Sequence, residues 1–224
     1  MSLSESVVHE LILRYSFRYY SEDKYLIQKA LSFVSRERPS VLDVGCGCGH
    51  YSFLFEKYGA NVVGFDYNAQ LIEEGCREAD LASSAVKFIV ADGSHPEKYF
   101  TDSKFDIIFM SGFSLFATEI SRSLMEKYLN LLTPDGILVF IQNSNQRGNI
   151  RKTHIRNYSI AQLIDRFSRL NCNIEKVFFY DRHIVGRLLR NYAFSDISTL
   201  CHRFITRVSG LPCNIVIIVS RKGS

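Results

Sequence analysis

Three alternating glycines, Gly45, Gly47 and Gly49, separate a β-branched stretch from an amphipathic one in the sequence SVLDVGCGCGHYSFLF. Glycine has no Cβ, so a backbone rich in it can turn tightly and come close to a ligand. Asp43 ends the stretch before the loop, and a helix predicted to begin near His50 would direct its free N–H groups to the same place. The pattern predicts a loop that binds a small molecule.

The loop differs from the two best-known glycine motifs. The dinucleotide fingerprint G-x-G-x-x-G requires a glycine where His50 and Ser52 stand, three residues after Gly47 and Gly49. The Gly-Lys-Ser/Thr ending of a nucleotide-binding P-loop is also missing. Taken alone, the loop could also be a tight turn between a strand and a helix.

Two further carboxylates stand where predicted strands end. Asp66, in GFDYN, ends the second strand 17 residues after Gly49, and Asp92, in VADGS, ends the third. Ligands of open α/β sheets bind outside the carboxyl ends of the strands. A carboxylate at the second strand suits the two hydroxyls of a ribose, and one at the third suits the amino group of adenine. We therefore expect the three strand ends to form one site.

The elements that must position these residues alternate along the chain. Strands are predicted at SVLDVG, NVVGFD, VKFIVAD, FDIIFMS and ILVFIQ, the last preceded by a turn at TPDG. Asn68 is predicted to cap a helix whose residues Leu71, Ile72 and Cys76 face inward, and Pro39 is predicted to end another helix. Helices are predicted over 5–20, 22–35, 50–58, 69–80, 119–131 and 159–170, with later strands at 174–180 and 214–220. Such alternation indicates an α/β fold with a parallel sheet covered on both faces.

The motifs resemble those of the class I S-adenosylmethionine-dependent methyltransferases of the small-molecule type. LDVGCGCG resembles their first motif, GFDYN the second, VADGS the third, FDIIFMSGFSLF that of the fourth strand and LLTPDGILVF that of the fifth. The match runs from about residue 39 to 141 and extends weakly to 220. It implies a doubly wound, Rossmann-like, seven-stranded and mostly parallel sheet. N-terminal helices, an antiparallel last strand over 214–220 and a helical insertion before that strand are also implied.

The resemblance also implies which residues bind the cofactor, S-adenosylmethionine, whose product is S-adenosylhomocysteine. The cofactor-binding set is Asp43, Gly45, Cys46, Gly47, Gly49, Asp66, Tyr67, Asp92, Gly93, Ser111 and Phe113. The glycine loop would surround the methionine part, Asp66 the ribose and Asp92 the adenine, while Ser111 and Phe113 would flank the transferred methyl group. Cys48 departs from the family, which more often has Thr or Ser there. Two alternatives stay open: Asp43 as only a cap of the loop amides, and Phe113 as a core residue rather than a wall of the cofactor site. Asp106, which begins a predicted strand, is expected to be structural rather than catalytic.

The acceptor side offers fewer signals. Methyl transfer requires in-line alignment, and a general base is needed only where the acceptor must lose a proton. His154 is the candidate base, with a surface-loop histidine as the alternative. No metal is expected, since Met110 and Ser111 supply no acidic ligand. The candidate substrate residues are Tyr15, Tyr19, Asn143, Arg156 and Tyr158.

Charge is divided unevenly along the 224 residues. The first 146 residues carry 13 Lys and Arg against 19 Asp and Glu, a balance of −6, and the remainder carries 14 against 4, a balance of +10. Arginines alternate with apolar residues over 182–210, a pattern that suits a lid or a contact with phosphates or an anionic membrane surface. No apolar run reaches the ~18–20 residues of a transmembrane helix, no secretory signal is visible, and the six cysteines form no CxxC pair. A reduced, cytoplasmic protein is expected.

These observations predict one methyltransferase domain over residues 1–224. It would comprise a helical cap (1–38), a cofactor-binding core (39–146) and acceptor-side segments (147–224). The expected reaction is transfer of a methyl group from S-adenosylmethionine to O or N of a small, anionic metabolite or of a glycan- or lipid-linked precursor. An RNA methyltransferase that uses the basic C-terminal part is one alternative, and a non-catalytic cofactor-binding module is another.

Overall fold

The structure, a computed structural model, describes residues 20–112, 121–142, 158–180 and 214–222. These residues form a seven-stranded sheet in the order β3-β2-β1-β4-β5-β7-β6. Neighbouring strands from β1 to β5 pair in parallel, and β7 lies antiparallel between β5 and β6. The strands are β1 Ser40–Val44, β2 Asn61–Asp66, β3 Lys87–Val90, β4 Phe105–Ser111, β5 Leu132–Gln142, β6 Cys172–Tyr180 and β7 Asn214–Arg221. The expected α/β class and the antiparallel last strand are confirmed.

Helices connect the strands. They are α1 Tyr20–Leu31, α2 His50–Lys57, α3 Ala69–Ala82, α4 Arg122–Leu129 and α5 Ile160–Arg169, with one 3-10 turn over Pro96–Lys98. The predicted cap is confirmed, because Asn68 Oδ1 accepts the N–H groups of Gln70 and Leu71 at 3.0 and 3.4 Å. None of the helices in the described segments has both the length and the apolar character that a bilayer crossing requires.

Apolar side chains leave both faces of the sheet and form two core clusters. On one face, Leu42 and Val44 pack with buried residues of α4 and α5, namely Met125, Tyr128, Leu163 and Phe167. On the other, Val41 packs with buried residues of α1 and α2, namely Leu26, Ile27, Leu54 and Phe55. Because helices cover both faces, the strands are continuously apolar, as parallel strands usually are.

The predicted C-terminal boundary of the helix over 22–35 is wrong. Helix α1 ends at Leu31, well before Pro39. The hydroxyl of Ser32 donates to the Lys29 carbonyl at 2.7 Å, and the N–H of Phe33 bonds the Ala30 carbonyl, so the last helical carbonyls are satisfied by a tighter turn. The predicted helix over 5–20, apart from Tyr20, and the insertion over 182–210 lie outside the described residues.

The predicted turn at TPDG instead lies inside β5, which begins at Leu132. Phe105 of β4 is opposite Leu132, whereas Ile107 is opposite Ile137, so the register shifts at this point. Pro134 has no N–H to donate to the ladder, and a bulge is where a strand accommodates such a residue.

Cys76 was expected to face inward from α3, but it is exposed. Gly75 and Ala79 face inward instead. A Cβ on Gly75 would lie 3.2 Å from the carbonyl oxygen of Cys48, so the missing side chain lets α3 approach the glycine loop closely. Ile72 is buried as predicted, so the inward-facing stripe of α3 runs through Ile72, Gly75 and Ala79 rather than through Cys76.

Asp106 lies at the start of β4, at the sheet edge opposite the glycine loop. Its carboxylate accepts the N–H and hydroxyl of Ser40 at 2.9 and 2.8 Å and the hydroxyl of Thr133 at 3.1 Å. The guanidinium of Arg36 lies 3.2 Å away. These contacts link the starts of β1, β4 and β5, in agreement with the structural role expected of Asp106.

Candidate functional site

A cleft of about 560 Å³ opens where β1, β2, β3 and β4 end. This volume lies in the range of small-molecule sites. Each strand end contributes to its wall, and the lining residues are Gly45, Phe65, Asp66, Tyr67, Asn68, Leu71, Ala91, Asp92, Gly93 and Gly112. The structure thus brings together five of the predicted cofactor residues at the ends of three strands, namely Gly45, Asp66, Tyr67, Asp92 and Gly93.

The glycine loop wraps around the end of β2. The N–H groups of Gly45 and Cys46 both donate to the Phe65 carbonyl, at 2.9 and 3.0 Å. The N–H of Gly47 donates to Asp66 Oδ2 at 3.1 Å. The loop is therefore held in place by the end of β2, through the Phe65 carbonyl and the Asp66 carboxylate.

Two glycines of this loop have different reasons to lack a side chain. Both Gly47 and Gly49 adopt positive φ, 58° and 95°. A Cβ on Gly47 would meet no atom within 4 Å, whereas one on Gly49 would lie 2.3 Å from Cζ of Phe88. Gly47 therefore leaves open space beside the loop, and Gly49 allows the loop to pack on β3.

Asp43 is buried, with 2% exposure, and does not line the cleft among the described residues. The hydroxyl of Ser52 donates to its Oδ2 at 2.6 Å, and the Ser52 backbone N–H donates as well. Burial raises the pKa of Asp43 to about 6, and the hydrogen bonds from Ser52 oppose that rise. The carboxylate thus satisfies an N–H group in the first turn of α2, and its role toward the cofactor stays a prediction.

Asp66 occupies the centre of the cleft wall. Its Oδ1 accepts the N–H of Asn68 at 2.9 Å, and its Oδ2 accepts that of Gly47. Each carboxylate oxygen has a second lone pair, so both can still accept from a ligand. Tyr67, next in sequence, is 76% exposed and forms a broad apolar flank of the cleft.

Asp92 is exposed, and Ser94 fixes its orientation. The Ser94 N–H donates to Asp92 Oδ1 at 2.9 Å, and the Ser94 hydroxyl lies 2.8 Å from both carboxylate oxygens. These hydrogen bonds, the backbone one first, hold the pKa of Asp92 below its ordinary value. The side chain is therefore an ionised acceptor at neutral pH.

Cys46 carries an uncharged thiol. Burial, together with the nearby charges of Asp43 and Asp66, raises its pKa far above the ordinary range. A metal ligand must be a thiolate, so this cysteine is poorly suited to bind zinc. Over the described segments, no group of three or more His, Cys, Asp or Glu side chains is arranged to hold a metal ion.

The fourth strand ends in Ser111 and Gly112. Ser111 is half-buried, and Gly112 adopts a φ of 66° and lines the cleft. Phe113, predicted to flank the cofactor, lies outside the described residues, as do the predicted acceptor-side residues Tyr15, Tyr19, Asn143, His154 and Arg156.

Tyr158, another predicted substrate residue, is buried in the core cluster that contains α5. Its backbone N–H and carbonyl bond the side-chain amide of Gln142, both at 2.8 Å. The guanidinium of Arg166 lies 4.4 Å from the centre of its ring. This packing gives Tyr158 a structural role, and a contact with the acceptor stays a prediction.

Sequence reasoning missed two long-range contacts near the site. His50 Nε2 lies 2.8 Å from Oδ2 of Asp23, a fully buried carboxylate of α1. The hydroxyl of Tyr128, in α4, donates to the Gly93 carbonyl at 2.7 Å. No local sequence pattern predicts either contact, because the partners are 27 and 35 residues apart in the chain.

Comparison with known proteins identifies the family to which this chain belongs. Residues 36–180 match the family model described as a methyltransferase domain. The chain is 34% identical over 97 residues to phosphoethanolamine N-methyltransferase 1 from Arabidopsis thaliana, a match that covers 43% of this chain and 19% of that protein. It is 29% identical over 103 residues to sterol 24-C-methyltransferase erg6 from Aspergillus fumigatus, which covers 46% of this chain and 27% of that protein. The chain thus spans about a fifth to a quarter of the length of these relatives.

Solved structures agree on the fold. A SAM-dependent methyltransferase from Thiobacillus denitrificans, solved in complex with S-adenosyl-L-homocysteine, superposes with a TM-score of 0.63 at 18% identity. The superposition covers 99% of this chain and 100% of that one. The chain belongs to the methyltransferase domain family, and its fold is that of the class I S-adenosylmethionine-dependent methyltransferases. The expected family and fold are confirmed.

Proposed function

We propose that this protein is an S-adenosylmethionine-dependent methyltransferase whose cleft holds the adenosyl part of the cofactor. The observation that carries the proposal is the cleft of about 560 Å³, in which Gly45 of the glycine loop and two oriented carboxylates, Asp66 and Asp92, lie at the ends of three adjacent strands. The donor set fits the group, because two carboxylates match a ribose diol and an amino group. When bound, the cofactor supplies an electrophilic methyl group on a sulfonium.

Each residue has a role in this proposal. Asp66 accepts the ribose hydroxyls, and its two backbone donors keep its oxygens directed at the cleft. Asp92 accepts the amino group of adenine, with Tyr67 and Leu71 as apolar walls. The loop from Gly45 to Gly49 takes the methionine part, and Ser111 and Phe113 flank the methyl group.

Asp43 acts on the cofactor through its charge. Its carboxylate lies behind the glycine loop, where burial disfavours the ionised form. A positively charged ligand nearby favours that ionised form, and S-adenosylmethionine carries cationic groups at its sulfur and its amine. The buried acid therefore favours the charged cofactor over a neutral analogue of the same shape.

For the acceptor, we propose O- or N-methylation of a small, anionic metabolite or of a glycan- or lipid-linked precursor. The +10 balance after residue 146 supports an anionic acceptor. The name of the Arabidopsis relative points to a phosphate-bearing amine. Arg156 would contact the anion, and His154 would take the proton of the acceptor.

Isothermal titration with S-adenosylmethionine and S-adenosylhomocysteine tests the cofactor proposal. We expect saturable binding of both, and no binding of either at any achievable concentration would overturn it.

An acceptor screen with methyl-labelled cofactor follows, with phosphoethanolamine as the first probe. His154→Ala should lower turnover without changing cofactor affinity, and an unchanged rate would remove His154 as the base.

The basic C-terminal part also supports a second candidate acceptor, RNA. That candidate predicts RNA binding that weakens steeply as salt rises, because phosphate contacts release counterions. Absent or salt-independent RNA binding in a filter assay would eliminate it. Cofactor binding without turnover over a broad screen would instead favour a non-catalytic module.

A further inference from the structure

Helix α4 holds the loop that follows β3. The hydroxyl of its fully buried Tyr128 donates to the Gly93 carbonyl at 2.7 Å. The ammonium of Lys127 lies 3.3 Å from the Ser94 carbonyl and 2.9 Å from Glu97 Oε1. Two successive carbonyls of the loop are therefore tied to two successive residues of one helix.

The Gly93–Ser94 peptide is held at both ends. Its carbonyl accepts from Tyr128, and its N–H, which belongs to Ser94, donates to Asp92 Oδ1 at 2.9 Å. A peptide group is planar, so fixing the direction of the carbonyl also fixes the direction of the N–H. The orientation of the Asp92 carboxylate thus depends on the Tyr128 hydroxyl, which acts on it through this peptide group.

This dependence matters because Asp92 is exposed. An exposed carboxylate that is free to rotate loses conformational entropy when a ligand fixes it. A carboxylate that a hydrogen-bonded peptide already holds in place loses less conformational entropy on binding, because it is partly ordered in the free protein. Burial of Tyr128 strengthens the effect, since water cannot replace its hydrogen bond to Gly93.

We propose that Tyr128 is a positioning residue for adenine, which acts through the Gly93–Ser94 peptide to orient the Asp92 carboxylate. This inference rests on the proposed function, because it takes the group bound by Asp92 to be the adenine amino group of the cofactor. Tyr128 contacts the loop from behind and belongs to the core cluster under α4.

The test is a double-mutant cycle measured as S-adenosylhomocysteine affinity by calorimetry. Tyr128→Phe keeps the ring and removes the hydroxyl, and we expect it to weaken binding about 3- to 10-fold, the size of one net hydrogen bond. Asp92→Ala should weaken binding more. Adding Tyr128→Phe to Asp92→Ala should change affinity less than twofold, because the carboxylate to be oriented is gone.

Two controls separate positioning from loss of stability. Phe167→Leu removes packing from the same core cluster on α5 without touching the loop, and it should lower the melting temperature while leaving affinity unchanged. The inosine analogue of S-adenosylhomocysteine lacks the amino group, and Tyr128→Phe should not weaken its binding. Unchanged affinity in Tyr128→Phe, or additive effects in the cycle, would overturn the inference. No binding by the wild-type protein would overturn the proposed function itself.

Discussion

The loops that follow β1 and β3 hold their carboxylates in opposite ways. Asp43, before the glycine loop, is buried, and burial raises its pKa to about 6. Asp92, after β3, is exposed, and hydrogen bonds from Ser94 hold its pKa below the ordinary value. The first carboxylate therefore has a fixed position but a disfavoured charge, whereas the second has a favoured charge and needs help to keep its position.

The two loops also differ in where their support comes from. The glycine loop bonds to β2, since both Gly45 and Cys46 donate to the Phe65 carbonyl. The loop after β3 depends on α4, whose Tyr128 is 35 residues away from Gly93. Changes in the first loop should therefore affect folding and binding together, while changes behind the second should affect mainly the ligand.

The largest expected effect separates two glycines of the first loop. Gly49→Ala should destabilise the protein by roughly 2–5 kcal/mol, because its Cβ would overlap Phe88 and its φ is positive. Gly47→Ala should cost only about 1–2 kcal/mol from its positive φ, and its Cβ would enter the open space beside the loop, where we propose that the methionine part of the cofactor binds. Urea unfolding and calorimetry measure the two effects. Equal losses of stability would contradict the division of roles.

Asp43→Asn should change how stability depends on pH. The pKa of this carboxyl is about 6 in the native protein and 3.8 in the unfolded chain, so the native carboxyl stays protonated to a higher pH. Its contribution to the free energy of unfolding is therefore full below about pH 4. That contribution is lost as pH rises through 6 and totals about 3 kcal/mol. Asp43→Asn should therefore gain stability relative to wild type between pH 4 and pH 7. A difference that stays constant over this range in urea unfolding would argue against a buried, proton-retaining Asp43.

Asp66→Ala should weaken S-adenosylhomocysteine binding by about 1.5–3 kcal/mol, the value of a hydrogen bond to a charged group. Asp80→Ala, an exposed carboxylate on α3, is the matched control and should leave affinity unchanged. Calorimetry of both variants provides the measurement. Equal affinities for Asp66→Ala and wild type would mean that the ribose lies elsewhere.

The smallest expected effect is in the second loop. Ser94→Ala removes one of the two donors to Asp92 and leaves the backbone N–H. The pKa of Asp92 should rise toward its ordinary value, and affinity should fall by about 0.5–1 kcal/mol. An NMR titration of the Asp92 carboxyl and calorimetry near pH 7 provide the two readouts. A loss of affinity as large as that of Asp66→Ala would contradict the expectation that Ser94 only helps to orient Asp92.

Much of the site could be predicted because its signals are local. Glycines at every second position and Asp66 and Asp92 at strand ends indicated a common binding edge, and the Asn68 cap followed from residue type. The boundary of α1 and the facing of Cys76 could not be predicted in the same way. They depend on how helices pack, where a missing side chain at Gly75 sets the approach of α3.

The sequence by itself determined the alternation of strands and helices, the loop between β1 and α2 and the acids at the strand ends, since these follow from periodicity and backbone preference. Only the tertiary structure decided the burial that raises the pKa of Asp43, the approach of His50 to Asp23 and the hydrogen bond from Tyr128 to Gly93. Those features join residues far apart in the chain. They form only when the helices pack against particular strand ends, and this packing depends on the whole core rather than on the local sequence.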